Sequence, residues 1–410
     1  MGPSRRRGLL QCLRALASGL GLLAGIVALA SPLACDGTVA GDSADPNDIR
    51  SGALRNPNDP NGPLDFKYWV QTVNLPMTSL EPAITNGGPH LYIAMQRGTN
   101  GRYWGISAEG PQNGTWGKYE PDNSTPRLFA SSPAVAHLPD SGTEKRVMVL
   151  GRGQGSGLDT RIFWSQGKVI QASPPSFKYP EKITNFAAVS NDQFTGSFGF
   201  PAVTSTPSGT VILAYVGLNS SSQQRVYVQR RPASPTNPGW SARVASPAIP
   251  GPFTTVQTPA ITYGYPFVFE PILGTIAIRT ISGSTSRVFR IFTDGVAFHD
   301  AWIEMTPFET DPVGMPINSN IAIEWNDELL THTLYFRSGT SIYQSSFFYN
   351  YWASPFRKVT APGPVPSFTG APAVTGNVQY EHGKHWVLGR DSGSGRLWFA
   401  ESFPDSQMIE

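Results

Sequence analysis

The chain has 410 residues, with 31 Lys and Arg against 29 Asp and Glu, and a formal net charge of +2, too small for a nucleic-acid surface built on bulk charge. Only 15% of residues are charged, Gly numbers 42 and Pro 37, and hydrophobic residues reach 40% with 11% aromatic. That mixture excludes a long disordered chain and favours strands and tight turns over helices.

Residues 1–35 read as a targeting segment. Arg5, Arg6 and Arg7 form a basic start, and Ala15 to Ala30 is an apolar core too short for a comfortable membrane span. The run Arg6-Arg7-Gly8-Leu9-Leu10 resembles a twin-arginine signal. Cys12 lies in the part to be removed, which leaves Cys35 as the sole mature cysteine, with no intrachain disulfide. Ser31-Pro32-Leu33-Ala34-Cys35 resembles a bacterial lipoprotein lipobox, with Pro32 where that pattern has Leu. The expectation is lipidation at Cys35; the alternative is cleavage after Ala28-Leu29-Ala30 with a free thiol. Export is expected either way, as a cell-envelope lipoprotein or a secreted protein, and a lipid anchor is the one membrane contact foreseen. Residues 36–64, rich in Asp, Asn, Pro and Gly, read as a disordered linker.

From residue 65 to 410 a signature recurs: Pro82-Ala83-Ile84, Pro133-Ala134-Val135, Pro201-Ala202-Val203, Pro259-Ala260-Ile261 and Pro372-Ala373-Val374, with Pro316-Ile317-Asn318 as a degenerate copy. The intervals run from 51 to 68 residues, which indicates a repeat architecture. Each unit continues with an apolar strand (LYIAMQR, RVMVLGR, VILAYV, TIAIR, TLYFR, HWVLGR), a polar hairpin and an aromatic strand (RYWGIS, RIFWSQ, RVYVQ, RVFRIF, SIYQSS, RLWFAES). A fourth strand opens with Trp116, Trp240, Trp302 or Trp352, or lies near Phe177. The last unit stops short of its Trp strand, and Tyr68-Trp69-Val70-Gln71-Thr72-Val73 stands ready to supply it from the other end. The expected fold is all-β: a six-bladed propeller closed by an N-terminal strand, which removes an exposed sheet edge.

Catalytic motifs are scarce. No Ser sits in a G-x-S-x-G window, and H-E-x-x-H, Walker and dinucleotide glycine patterns are absent, so no cofactor and no metal are implied. His382 and His385 flank a turn without a third ligand nearby. Sugar-bond hydrolysis needs two carboxylates at a set separation. The weak candidates are Glu324 in a channel-lining strand with Asp327 and Glu328, and the group Asp294, His299, Asp300, Glu304 and Glu309.

Arginine placement is more distinctive. Arg97 and Arg102, Arg152 and Arg161, Arg279 and Arg287, and Arg390 and Arg396 bracket the same hairpin in four blades; Arg225 and Arg337 supply one side in the other two. Guanidinium forks beside Trp104, Trp164, Tyr227, Phe289, Tyr343 and Trp398 suit sugar hydroxyls and carboxylates. The bland alternative is a structural arginine with its stem packed on an aromatic ring.

This order of Pro-Ala-Val, apolar strand ending in Arg, polar loop, Arg-x-Tyr strand and Trp strand resembles the repeat of propeller lectins, including the six-bladed fucose-binding kind. The resemblance implies sites between adjacent blades, each with an Arg, a Glu and an aromatic residue. Only Glu401 lies near the place of that Glu, so glycan binding is expected without fucose specificity. Sialidase propellers are a more distant resemblance, since their aspartate-box turns are missing. Three readings follow: a lectin-like glycan binder, a glycoside hydrolase or lyase, and a non-catalytic scaffold for another protein. The motifs lean toward binding of glycans or glycoconjugates rather than catalysis.

Overall fold

The computed structural model describes residues 66–72, 80–88, 91–109, 116–119, 128–141, 144–155, 159–170, 185–233, 239–251, 255–256, 258–264, 274–282, 285–305, 316–326, 331–348, 351–352, 356–361, 363–376 and 384–402. The expected targeting segment, Cys35 and the linker lie outside them, as do Asp327, Glu328, Glu309, His382 and Phe177.

The described residues form six antiparallel sheets. Strand β1 is Phe66–Gln71. Blade 1 contains β2 Ala83–Gly88, β3 Leu91–Arg97, β4 Tyr103–Glu109 and β5 Trp116–Tyr119; blade 2 contains β6 Ala134–Ser141, β7 Glu144–Arg152, β8 Ile162–Ile170 and β9 Ala187–Ala188. Blade 3 contains β10 Pro201–Ser205, β11 Val211–Leu218, β12 Gln224–Arg231 and β13 Val244–Ala245. Blade 4 is built on β15 Ala260–Tyr263, β16 Gly274–Ser282, β17 Thr285–Thr293 and β18 Ile303–Glu304, with β14 Thr255–Val256 also paired to β16. Blade 5 has β19 Ala322–Asn326, β20 Thr331–Ser338 and β21 Ser341–Phe348, and its edge is shared by β22 Tyr351–Trp352 and β23 Arg357–Lys358. Blade 6 holds β24 Phe368–Gly376, β25 His385–Asp391 and β26 Leu397–Ser402, with β1 antiparallel to β26 as its outermost strand. Each inner strand neighbours the next around a closed ring, from β2 through β6, β10, β15, β19 and β24 back to β2.

The second strands read as near-continuous apolar runs because both of their faces are covered. In β11, Val211, Leu213 and Tyr215 enter the apolar cluster shared with blade 2, while Ile212, Ala214 and Val216 enter the one shared with blade 4. The core is therefore six clusters, one at each joint between blades. Each fully buried large apolar side chain there contributes about 1.5–3 kcal/mol.

Register corrects the fifth repeat. The Ala of each Pro-Ala motif pairs with the residue two before the second-strand arginine position: Ala83 with Met95, Ala134 with Leu150, Ala202 with Ala214, Ala260 with Ala277 and Ala373 with Leu388. In blade 5 the residue so placed is Ala322, opposite Tyr335. The true copy is thus Ile321-Ala322-Ile323, and Pro316-Ile317-Asn318 belongs to the preceding connection. In blade 2 the described outer strand is Ala187–Ala188, and the segment near Phe177 lies outside the described residues.

Candidate functional site

The inner strands all start at one end of the central channel, and the hairpins bearing the arginines emerge at that same end. The entrance there is lined by six equivalent four-residue segments, beginning at Glu81, Ser132, Phe200, Thr258, Asn320 and Ala371. They enclose a cavity of about 150 Å³. The Glu81 carboxylate spans this entrance: Ser132 Oγ donates to its Oε2 at 3.0 Å from blade 2, and Asn320 Nδ2 donates to its Oε1 at 3.2 Å from blade 5. Asn320 Oδ1 is buried and has no hydrogen-bond partner among the described residues. The Phe200 ring lies beside them, with the Arg152 guanidinium 5.1 Å from its centre.

The second-strand arginines tie each blade to the next. Arg97 Nε donates to the Phe129 carbonyl, and its Nη2 donates to Gln154 Oε1 at 3.3 Å. Arg152 Nη1 donates to the carbonyls of Gly196 and Phe198, the latter at 3.0 Å. Arg279 Nη1 reaches the Ser319 carbonyl at 3.1 Å, while its Nε and Nη2 bond Ser286 Oγ. Arg337 donates from Nε to Gly370 O at 2.9 Å, from Nη2 to Asn318 O at 2.8 Å and from Nη1 to Gly339 O. Arg390 lies in the field of the Glu81 carboxylate. Glycine precedes two of these arginines because a neighbouring ring crosses the backbone there: a Cβ at Gly151 would collide with Tyr103, and one at Gly389 with Phe368.

The third-strand arginines turn outward within their own blades. Arg161 donates to Asn191 Oδ1 at 2.9 Å and from Nε and Nη2 to Asp159 Oδ2, and the bonds to Asp159 are the main cause that holds its carboxyl below the usual carboxylate range. Arg287 donates to both oxygens of Glu304 at 3.0 and 2.9 Å. Arg396 reaches Gln71 Oε1 at 3.1 Å, and Arg225 bonds Gln223 and the Gln224 carbonyl. The Arg102 backbone N–H is held by Asn100 Oδ1 at 3.1 Å, which fixes the turn.

The aromatic partners divide differently. Trp104 is buried in the cluster shared by blades 1 and 6, and Phe289 and Tyr227 are likewise buried. Trp164 is partly buried under the Arg231 guanidinium at 4.6 Å, Trp398 is partly buried against the joint of blades 5 and 6, and Tyr343 packs on the joint of blades 4 and 5.

Glu324 lies near the opposite end of the channel, where its Oε1 accepts from Thr262 Oγ1 at 3.1 Å and from the Trp325 N–H at 3.2 Å. Its place, next after Ile323, is four positions along the inner strand from the level of Glu81, about 13 Å at strand rise. Asp294 caps a turn through the N–H groups of Val296 and Ala297, with His299 Nε2 3.6 Å from its other oxygen. Asp300 pairs with the buried Arg290. His385 is buried, its Nδ1 2.8 Å from Tyr335 Oη. Among the described residues no three His, Cys, Asp or Glu side chains gather as a metal site.

Glu401, at the place of the lectin Glu, is engaged in closing the ring. It accepts from Lys67 Nζ at 2.9 Å and Tyr68 Oη at 2.5 Å, with Lys384 Nζ at 3.5 Å. Burial pushes its carboxyl up, but the Tyr68 and Lys67 hydrogen bonds and the two lysine charges outweigh that and leave it below its ordinary value.

Sequence reading missed Glu81 and Asn320. The signal was the residue just before each Pro-Ala position, which varies from Glu to Ser, Phe, Thr, Asn and Ala while its neighbours repeat. In blade 5 the misplaced motif hid Asn320.

No family model matches the chain, and no curated protein matches it. Among solved structures, AofleA from Arthrobotrys oligospora is similar over 82% of this chain and 86% of its own, at 10% identity and a TM-score of 0.50. The fucose-specific lectin from Aleuria aurantia is similar over 84% of this chain and 98% of its own, at 13% identity and a TM-score of 0.43. A sialidase from Trypanosoma rangeli covers 80% of this chain and 54% of its own, at 11% identity and a TM-score of 0.48. At these identities the likeness is one of fold, a six-bladed β-propeller.

Proposed function

We propose that this is an exported, lipid-anchored propeller that binds carbohydrate, lectin-like rather than hydrolytic, at the channel entrance on the arginine-bearing face. One observation carries the reading: a single concave entrance brings together the Glu81 carboxylate, the Asn320 amide with an open acceptor, the hydroxyl residues Ser132 and Thr258, and the Phe200 ring. Polar groups beside an apolar ring are what a sugar requires, since its hydroxyls need partners and one of its faces is apolar. Around this entrance stand the hairpin residues Arg97, Arg102, Arg152, Arg161, Arg279, Arg287, Arg337, Arg390 and Arg396, with Trp164 and Trp398 further out. Export and anchoring rest on Arg5 to Arg7, the apolar core and Cys35.

A glycan array with the purified full chain tests the reading. Selective binding, competed by free sugar and weakened about tenfold by Phe200→Ala or Asn320→Ala, is the expected result. A blank array overturns it in favour of a scaffold. Palmitate labelling that disappears in Cys35→Ser tests the anchor.

A further inference from the structure

Behind the lining of the entrance that Glu81 occupies stand five guanidinium groups, three of them bonded to the chain just before a lining segment, at Phe198, Ser319 and Gly370. Arg97, Arg152, Arg279, Arg337 and Arg390 hold one place in their blades, opposite Tyr103, Ile162, Val288, Ile342 and Leu397. The hydrogen-bond partners of the first four among the described residues are carbonyl, amide and hydroxyl oxygens, which accept hydrogen bonds and leave the positive charge uncancelled. Burial pulls the Arg279 guanidinium below its ordinary value, and the like charge of Arg337 in the next blade pulls it further. Burial lowers Arg390 as well, and the opposing charge on it is Glu81. Among the described residues lining the entrance, Glu81 is the one carboxylate, and the arginines stand behind that lining.

Farther out on the same face, Arg225 and Arg396 also end on neutral acceptors. A concave entrance with apolar walls concentrates such a field and draws in anions. The fork of a guanidinium matches a carboxylate in geometry as well as charge. Arg152 beside Phe200 puts such a fork next to the ring on which a sugar would lie.

We propose that the ligand is an acidic saccharide, one whose sugars carry carboxylates of the uronic acid type; this rests on the carbohydrate reading above. Its carboxylates lie against the arginine circle while its hydroxyls meet Glu81, Asn320 and Ser132.

The test is calorimetric titration of the full chain with a galacturonic acid hexamer, its methyl ester and a single-stranded oligothymidylate of equal charge, at low and moderate salt. The acid hexamer is expected to bind at least tenfold more tightly than the ester, with the advantage shrinking as salt screens the field. Arg337→Gln weakens the acid hexamer about fivefold, and Arg337→Lys restores most of that, although both variants lose the Arg337 hydrogen bonds. Equal binding of acid and ester, or selective binding of neutral glycans alone, overturns the inference and leaves the carbohydrate reading standing. Oligothymidylate binding as tightly as the hexamer overturns it in favour of a general polyanion field. Equal losses in Arg337→Gln and Arg337→Lys overturn the charge role of the circle. Failure of every saccharide on the array and in the cell overturns the carbohydrate reading itself.

Discussion

The joint between blades 5 and 6 and the joint between blades 3 and 4 solve one problem in two ways. At the first, Arg337 reaches out of β20 and satisfies the carbonyls of Gly370, Asn318 and Gly339. At the second, the equivalent residue is Val216, opposite Val226, and it is buried among Ile261, Ile278 and Trp302. The connection entering blade 4 does not wait for a guanidinium, because Thr255–Val256 pairs as a strand with Thr280 and Ile281. Trp302 Nε1 adds a bond to the Pro247 carbonyl at 3.2 Å. Phe368 and Thr369 pair in the same way with Asp391 and Arg390 on entering blade 6, so the difference lies in the Gly370 carbonyl, which falls at the register shift after Thr369 and takes the Arg337 donor, while an aliphatic residue suffices at the joint of blades 3 and 4.

Substitution at the two joints separates these devices. Arg337→Ala removes three donors and strands the carbonyls of two connections, and is expected to cost about 3 kcal/mol, read by denaturant unfolding. A loss under ~1 kcal/mol would mean that water replaces the guanidinium there without penalty. Acid attacks the neighbouring joint between blades 4 and 5. There His332 stacks on Phe347 at 5.2 Å and lies 4.7 Å from Trp325. Burial pushes its imidazole down from 6.5 to about 3, the Arg290 charge adds to that, and a bond to the Gly264 carbonyl opposes it. The unfolded chain therefore takes up a proton below 6.5 that the native ring refuses until about 3. Stability is full above that upper value and drains as pH falls, by about 2 kcal/mol between pH 7 and pH 5. His332→Gln should flatten this dependence in unfolding titrations, and an unchanged slope would assign it to other groups. At the joint of blades 3 and 4, Val216→Ala opens a small cavity and should cost about 1.5 kcal/mol with no change in salt dependence. A salt-dependent loss there would contradict the purely apolar account.

The contrast between the joints also explains what the sequence made legible. Blades, hairpins and the strand order were readable because apolar runs, turn residues and Pro-Ala positions repeat with local spacing, and each strand such as β11 needs apolar residues on both faces. The arginine positions were equally visible. Their partners were not, since Arg152 bonds Gly196 and Arg337 bonds Gly370, backbone groups that carry no side-chain signal. The fifth motif slipped by five residues because Ile321 replaces the proline that marked the others. Glu81 and Asn320 acquire meaning only when blades 1 and 5 face each other across the channel, a long-range relation that no local pattern encodes.

Arg396 offers the finest division between arginines that hold the ring and arginines that face a ligand. It starts the third strand of blade 6 and its described side-chain bond is one exposed contact to Gln71 Oε1 on β1. An exposed bond of this kind contributes little, so Arg396→Gln should change unfolding stability by less than about 0.5 kcal/mol. It also lowers the charge of the face by one, and the acid hexamer should bind roughly twofold more weakly, through screened attraction alone. That pattern, weaker binding with an unchanged fold, is the reverse of what Val216→Ala should give. Stability falling together with binding would instead mean that the Arg396 contact helps hold β1 in the last blade, so that this arginine, like Arg337, both holds the ring and adds to the charge of the face.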